Sequence, residues 1–373
     1  MRPKLTFNDS IWNAYELKDI VSFSKGKNVS LDIVTETGFP AMMYGDIYIK
    51  YDTFFNKVDY CIPIELSKDS TIIDKNTILM TCTGETAIDI GKSVCYLGET
   101  PICIGGDILA LKCTDNTNAK FLCLQLNTYD KIKERARLSQ GHSVVHLYQH
   151  HIEKSKIYKP DIATQTKIAT FLNLYYKKIE LQKKKIEQYK IKFINLFKFL
   201  LSNLKLFEVK PLGSLCEITT GKLDANAMVN NGKYKFFTCA KEVYNIDKFA
   251  FDTEALLISG NGANVGYIHY FKGKFNAYQR TYILDSFADN IQYIKMYLEI
   301  NLPKRIKAEK NEGNTPYIVL STLTEMNILV PAKDIQDRLS ECYLLFNQKI
   351  NLEQQKLELL EKYKQGLLQK LFI

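Results

Sequence analysis

An internal repeat, far longer than any solenoid period, limits what this chain can fold into. Residues 160–200 and 331–371 align without a gap at an offset of 171. Identities fall at Pro160/Pro331, Gln165/Gln336, Lys178/Lys349, Ile179/Ile350, Leu181/Leu352, Lys185/Lys356, Glu187/Glu358, Leu196/Leu367 and Leu200/Leu371, more than biased usage gives by chance. Neither segment has a proline after its first residue, and only Gly366 interrupts the helical pattern. Apolar residues recur in steps of three and four. In the first segment they include Leu172, Tyr175, Ile179, Ile186, Tyr189, Phe193 and Leu196; in the second, Tyr343, Phe346, Ile350, Leu357, Leu360 and Leu367. That is the a/d seam of a coiled coil. Gln182 and Glu353 fall in the same gap of the two seams. A polar residue there either fixes register at some cost in stability or is a solvated break.

What precedes each helix repeats more loosely. Trp12–Lys27 aligns with Phe207–Lys222 at an offset of 195, so that Gly26 meets Gly221. An apolar run and a glycine follow in both halves, Thr77–Gly84 and Ala255–Gly262, then Gly91 and Gly266. Each half closes on a polar turn, with His142 and Ser143 in one and Asn314 and Thr315 in the other. The runs Thr77–Thr81, Asp107–Leu111, Ala255–Ser259 and Thr281–Leu284 read as strands. The chain is therefore expected to be an α+β protein with a domain (1–159), a long helix (160–205), a second domain (206–330) and a second long helix (331–373). The offset shrinks from 195 to 171, so the first globular part is the longer by 24 residues.

Composition narrows the function more than the fold. The chain is 46% hydrophobic and 24% charged, with no run long enough to span a membrane and no apolar core of signal-peptide type near its start. A cytoplasmic protein is expected. Net charge is +9, compatible with a polyanionic partner. Residues 160–205 carry ten lysines against three acids, whereas 331–373 carry seven basic and six acidic groups. The lysine excess is either a solvated face or a surface for DNA phosphate or an acidic partner.

Nine cysteines, an odd number with no CxxC, fit neither a zinc ribbon nor a disulfide framework. His142, His146 and His150 recur every four residues, but Leu147 stands where HExxH needs its glutamate, and no metal site is expected. There is no GxxxxGK[ST] and no GxSxG. Gly313-Asn314-Thr315-Pro316-Tyr317 lacks the first proline of an adenine-methyltransferase NPPY. No catalytic residue is assigned.

This layout resembles the specificity subunit of Type I DNA restriction–modification enzymes over essentially the whole chain. The likeness is strongest in Gln165–Leu200 and Gln336–Phe372, where the ending KLELLEKYKQGLLQKLF is typical of the family's spacer repeats. LISGNGANVGY, the Arg280 region and GNTPYIVLSTLTEMNILVP resemble its target-recognition domains; GHSVV departs from the usual GST-like run. The resemblance implies two strand-rich target-recognition domains, each reading half of a split, asymmetric DNA site. It implies long helices that pair antiparallel, set the spacer and dock the partners, with pseudo-twofold symmetry. The chain would be non-catalytic and hold no cofactor. Two modification subunits would bring S-adenosylmethionine, and two restriction subunits ATP and Mg. Candidate DNA-binding residues are Lys25, Lys27, Gly84, His142 and Ser143 in the first half, and Lys222, Gly260, Asn261, Gly262, Arg280, Asn314 and Thr315 in the second. The alternatives are a recognition subunit of a combined nuclease–methyltransferase and a coiled-coil scaffold that does not bind DNA.

Overall fold

The computed structural model describes residues 11–114, 116–309 and 317–372. It divides into two compact units, residues 1–183 with 356–373, and residues 184–355. The repeated segments form two long helices, Ile162–Ser202 and Lys333–Leu371. The second continues through Gly366, where a helical glycine costs only about 1 kcal/mol and neighbouring turns carry it.

Each globular domain is built on a central sheet whose middle strand is covered on both faces. In Thr77–Thr81 every residue is buried. Ile78 and Met80 face one core and Leu79 the other, the period of two expected of a strand. In Phe251–Ser259, Leu256 and Ile258 enter one core while Ala255 and Leu257 enter another. The first sheet runs Val21–Lys25, Ile108–Cys113, Thr77–Thr81, Ser93–Tyr96, Phe54–Phe55. The second runs Glu217–Thr220, Thr281–Asp285, Phe251–Ser259, Ile268–Ala277, Tyr234–Phe237, Tyr244–Ile246. Both are antiparallel except at the fourth-to-fifth pairing, which is parallel in each. The first domain adds a four-stranded sheet of Tyr60–Ile62, Phe39–Met42, Ile102–Ile104 and Thr71–Ile73. Much of its extra length lies there.

The two domains also join their helices in the same way. The entering strand pairs with the leaving one, Asn13–Glu16 with Lys156–Lys159 and Glu208–Pro211 with Asn327–Val330. One turn into each helix sits a buried glutamine. Gln165 Oε1 accepts from the Asn118 backbone N–H at 2.9 Å, and its Nε2 donates to Pro160 O at 2.8 Å. Gln336 Oε1 accepts from the Asn290 N–H at 3.0 Å, and its Nε2 donates to Pro331 O at 2.9 Å. Asn118 and Asn290 in turn cap the helices Ala119–Leu126 and Ile291–Glu309, their side chains accepting from Phe121 N and Tyr293 N. Buried amide groups of this kind must be paired or cost their full desolvation. That is a physical reason for Pro160/Pro331 and Gln165/Gln336 to match.

Within each unit the helices run antiparallel. In the first, Ile168 and Leu172 cluster with Leu371 and Phe372, Tyr175 OH donates to Leu360 O, and Lys183 pairs with Glu361. In the second, Phe193 packs on Tyr343 and Phe346, and Lys185 pairs with Glu353 at 2.9 Å. Lys349 approaches Glu353 from one turn away, at 3.4 Å. Glu353 is thus a buried, ion-paired member of the seam and not a solvated break. Ile179, Ile186, Phe193, Leu172 and Tyr343 are buried; Tyr175, Tyr189, Leu196, Phe346, Ile350, Leu357, Leu360 and Leu367 are half-buried.

The seam needs one correction. Toward both ends of the first helix the deepest residues advance by four, Ile168–Leu172–Tyr176 and Phe193–Phe197–Leu201. Phe197, not Leu196, is fully buried, and Tyr176 lies deeper than Tyr175. There the helix packs against a domain as well as its helical partner, and i, i+4 rows replace the 3.5-residue period.

Candidate nucleic-acid interface

Three stretches that are distant in sequence meet at one end of the first central sheet. Lys25 stands opposite Leu109, and Thr81 opposite Ile108. Beyond the last pair, Gly26 N donates to Ile108 O at 2.9 Å and Cys82 N to Asp107 O at 2.8 Å. The short pairing of Thr83–Gly84 with Val145–His146 brings in the turn that bears His142 and Ser143. Leu147 N then donates to Cys82 O at 2.9 Å.

The second domain repeats this arrangement bond for bond. Thr220 stands opposite Tyr282, and Ser259 opposite Thr281. Gly221 N donates to Thr281 O at 3.2 Å and Gly260 N to Arg280 O at 2.8 Å. Asn261 bridges to Tyr317, and Ile318 N donates to Gly260 O at 2.9 Å. The hydrogen bonds therefore match Gly26 with Gly221, Cys82 with Gly260 and Thr83 with Asn261, and Lys27 and Lys222 follow the matched glycines. The same bonds match Asp107 with Arg280 and His146 with Tyr317. A Cβ on Gly26 would lie 2.0 Å from Gly105 O, and one on Gly221 2.1 Å from Ala277 O. Glycine is required at both because the backbone crosses a neighbouring carbonyl.

The frame is common; the side chains on it are not. In the first domain Thr83 Oγ1 donates to Asp107 Oδ1 at 2.8 Å, and His146 Nδ1 lies 3.3 Å from the same hydroxyl. The hydroxyl's hydrogen goes to the carboxylate, so the His146 Nδ1–H is the donor of the second bond. The rings of His146, Tyr148 and His150 stack in series, and Tyr148 is exposed. Burial pushes the Cys82 thiol up to about 11, which keeps it protonated and unreactive. In the second domain Arg280 is exposed, with no hydrogen-bond or ion-pair partner for its side chain among the described residues. Tyr282 OH donates to Ile318 O at 3.1 Å, and Gln279 Nε2 to Asp224 Oδ1 at 2.9 Å.

Of the candidates from the sequence, Lys25, Lys27, His142, Ser143, Lys222 and Arg280 are exposed. Gly84 and Gly260 are buried, while Asn261 and Gly262 are half-buried. The glycines act through the backbone: Gly262 has φ +79°, a left-handed conformation. Asn314 and Thr315 lie outside the described residues. The sequence reading missed Thr83, Asp107, His146 and Tyr317. His146 and Tyr317 stand at the 171-residue offset of the helix repeat, whereas Thr83 and Asp107 meet their counterparts at offsets of 178 and 173, which only the pairing of strands reveals. Among the described residues no group of three or more His, Cys, Asp or Glu could hold a metal ion.

The duplication of this edge is matched in sequence comparison. A family model described as the Type I restriction modification DNA specificity domain matches residues 10–190 and again 205–362. The chain belongs to this family. A curated relative of this specificity-domain protein is the Type I restriction enzyme EcoDI specificity subunit of Escherichia coli, 41% identical over 131 residues. That match spans 35% of the chain and only 29% of the relative. Among solved structures, the S subunit of a Type I restriction–modification system from M. genitalium superposes over 98% of this chain and 97% of its own, with TM-score 0.59 at 17% identity. A chain from a structure titled for complex assembly and conformational transition of the type I R-M system covers 97% of each, with TM-score 0.58 at 13% identity. At these identities the likeness is one of fold. No helix among the described residues is long and apolar enough to cross a membrane.

Proposed function

We propose that this chain is the non-catalytic DNA-recognition subunit of a Type I restriction–modification complex. Each domain presents the edge described above to one half of a split, asymmetric site in double-stranded DNA. Lys25, Lys27 and Lys222 supply phosphate contact, and the turn and loop residues His142, Ser143, Asn261 and Arg280 read the bases; Asn314 and Thr315, outside the described residues, remain candidates for the same role from the sequence. Gly84, Gly260 and Gly262 let the backbone approach closely. Methyl transfer with S-adenosylmethionine, and ATP- and Mg-dependent cleavage, belong to partner subunits. The observation that carries the reading is one backbone frame, built twice, with different side chains at matched positions. Affinity comes from phosphate contact and sequence from base edges, so a reader of two unlike half-sites needs a constant frame and variable tips.

The helices support a stoichiometry of two for one kind of partner. Leu174 and Leu181 are 61% and 65% exposed; their repeat counterparts Leu345 and Leu352 are each 60% exposed. An apolar pair seven residues apart, repeated on both helices, offers two copies of one partner the same footing. A scaffold without DNA binding gives no reason for the matched sheet edges.

The test is to express the chain with its modification subunit in a host lacking the system and to map methylated adenines. A single bipartite motif is expected; unspecific methylation, or methyl transfer by this chain alone, would end the proposal. Inserting residues after Gln182 then tests the helices as the spacer. Four residues add about 6 Å and nearly restore helical phase, whereas two rotate the seam by about 200°. The longer insertion should lengthen the unread gap by one or two base pairs with both half-sites kept, and the shorter one should abolish assembly.

A further inference from the structure

Asp107 and Arg280 occupy the same place in the two domains. Each immediately precedes the strand that pairs with the first strand of the central sheet, and its carbonyl accepts from the residue just past the end of the next strand, Cys82 or Gly260. Both bonds are 2.8 Å. From this common place one residue offers an acceptor and the other a set of donors, since a carboxylate only accepts and a guanidinium only donates.

Neither side chain is used up by the fold. Asp107 is half-buried, and Oδ1 takes the Thr83 hydroxyl, which leaves Oδ2 with no bond among the described residues. Neither Asp107 nor Arg280 has an ion-pair partner there. The Asp107 carboxylate is held by the Thr83 hydroxyl, which is itself held by His146. The Thr83–His146 bridge holds Oδ1 and so limits the orientation of the carboxylate.

We infer that Asp107 and Arg280 are matched specificity determinants that read opposite hydrogen-bond polarity in the two half-sites. Asp107 accepts from the exocyclic amino group of a cytosine in one, and Arg280 donates to O6 and N7 of a guanine in the other. In the major groove, Asp and Glu pair with cytosine N4 and arginine pairs bidentately with guanine. Thr83 and His146 are positioning residues that act through Asp107. Because the bipartite site is asymmetric only if the domains read differently, this pair is one physical origin of that asymmetry. The inference rests on the DNA-recognition reading above.

The experiment uses the whole chain with its modification subunit. Methylated adenines are mapped for wild type, Asp107→Ala, Asp107→Asn and Arg280→Ala, with thermal melting of each purified chain as the folding control. Asp107→Ala is expected to relax one C·G position of one half-site by about 5- to 150-fold in discrimination and to leave the other half intact. Arg280→Ala should relax one G·C position of the other half by a similar factor. Asp107→Asn retains size and adds a donor, the combination that fits adenine N6 and N7, so its preference should move toward adenine. If Asp107→Ala fails the melting control, Asp107→Asn carries the test for that domain. A bipartite wild-type motif that folded variants leave unchanged overturns the assignment while the recognition reading stands. So does uniform weakening at every position, which would mean phosphate contact. A wild-type strain with no bipartite methylation overturns both.

Discussion

Gln165 and Gln336 do the same work with the same atoms, whereas Asp107 and Arg280 stand at one position with opposite charge. The first pair lies where each domain meets its long helix and is 0% and 1% exposed. The second lies at the open end of the central sheet. The difference separates what holds a domain on its helix from what the domain offers to the outside. An inward pair must keep its geometry because an unpaired buried amide is costly. An outward pair is free to differ because water satisfies whatever the partner does not.

The largest effect should come from the inward side. Phe197 is fully buried between its helix and the second domain's core, so Phe197→Ala should lower stability by about 3–5 kcal/mol. Leu196→Ala, one residue away and half-buried, should cost clearly less. Chemical denaturation of the two variants would restore the unshifted seam if Leu196 proved the more costly.

Next come the glutamines themselves. Gln165→Ala and Gln336→Ala each leave a buried backbone N–H and a carbonyl without their partner, and should each cost about 2–4 kcal/mol. Equal losses in thermal melts would confirm that the two junctions are equivalent. A loss in only one would break the comparison and make one glutamine ornamental.

Smaller effects separate Gly262 from Gly366. Among the described residues, no heavy atom lies within 4 Å of a Cβ placed on Gly262 or Gly366. Gly262 has φ +79°, so Gly262→Ala should destabilise by roughly 1 kcal/mol through the backbone alone. Gly366 is helical, so Gly366→Ala should stabilise by about 0.5–1 kcal/mol. Opposite signs in matched denaturation curves are the expected result. A large loss of DNA selectivity in Gly262→Ala beside that small stability change would place its loop at the duplex.

The sequence by itself determined the long helices, the duplication and the strands at the centre of each domain. Helical periodicity is local, and a chain of 171-residue offsets keeps its phase because neither repeat contains an insertion. Glycines that a carbonyl crosses, Gly26 and Gly221, were legible for the same reason: a residue that cannot change stays visible as an identity. What only the tertiary structure decided is which residues share a position at the two sheet edges. The offset is 195 at Gly26/Gly221, 178 at Cys82/Gly260, 173 at Asp107/Arg280 and 171 at Pro160/Pro331. Loops of unequal length separate the paired strands, so the register passes through hydrogen bonds between distant residues and not along the chain. The same holds for Phe197 and Tyr176. Their depth is set by a third surface packed on the helix, which the pattern of one helix does not contain.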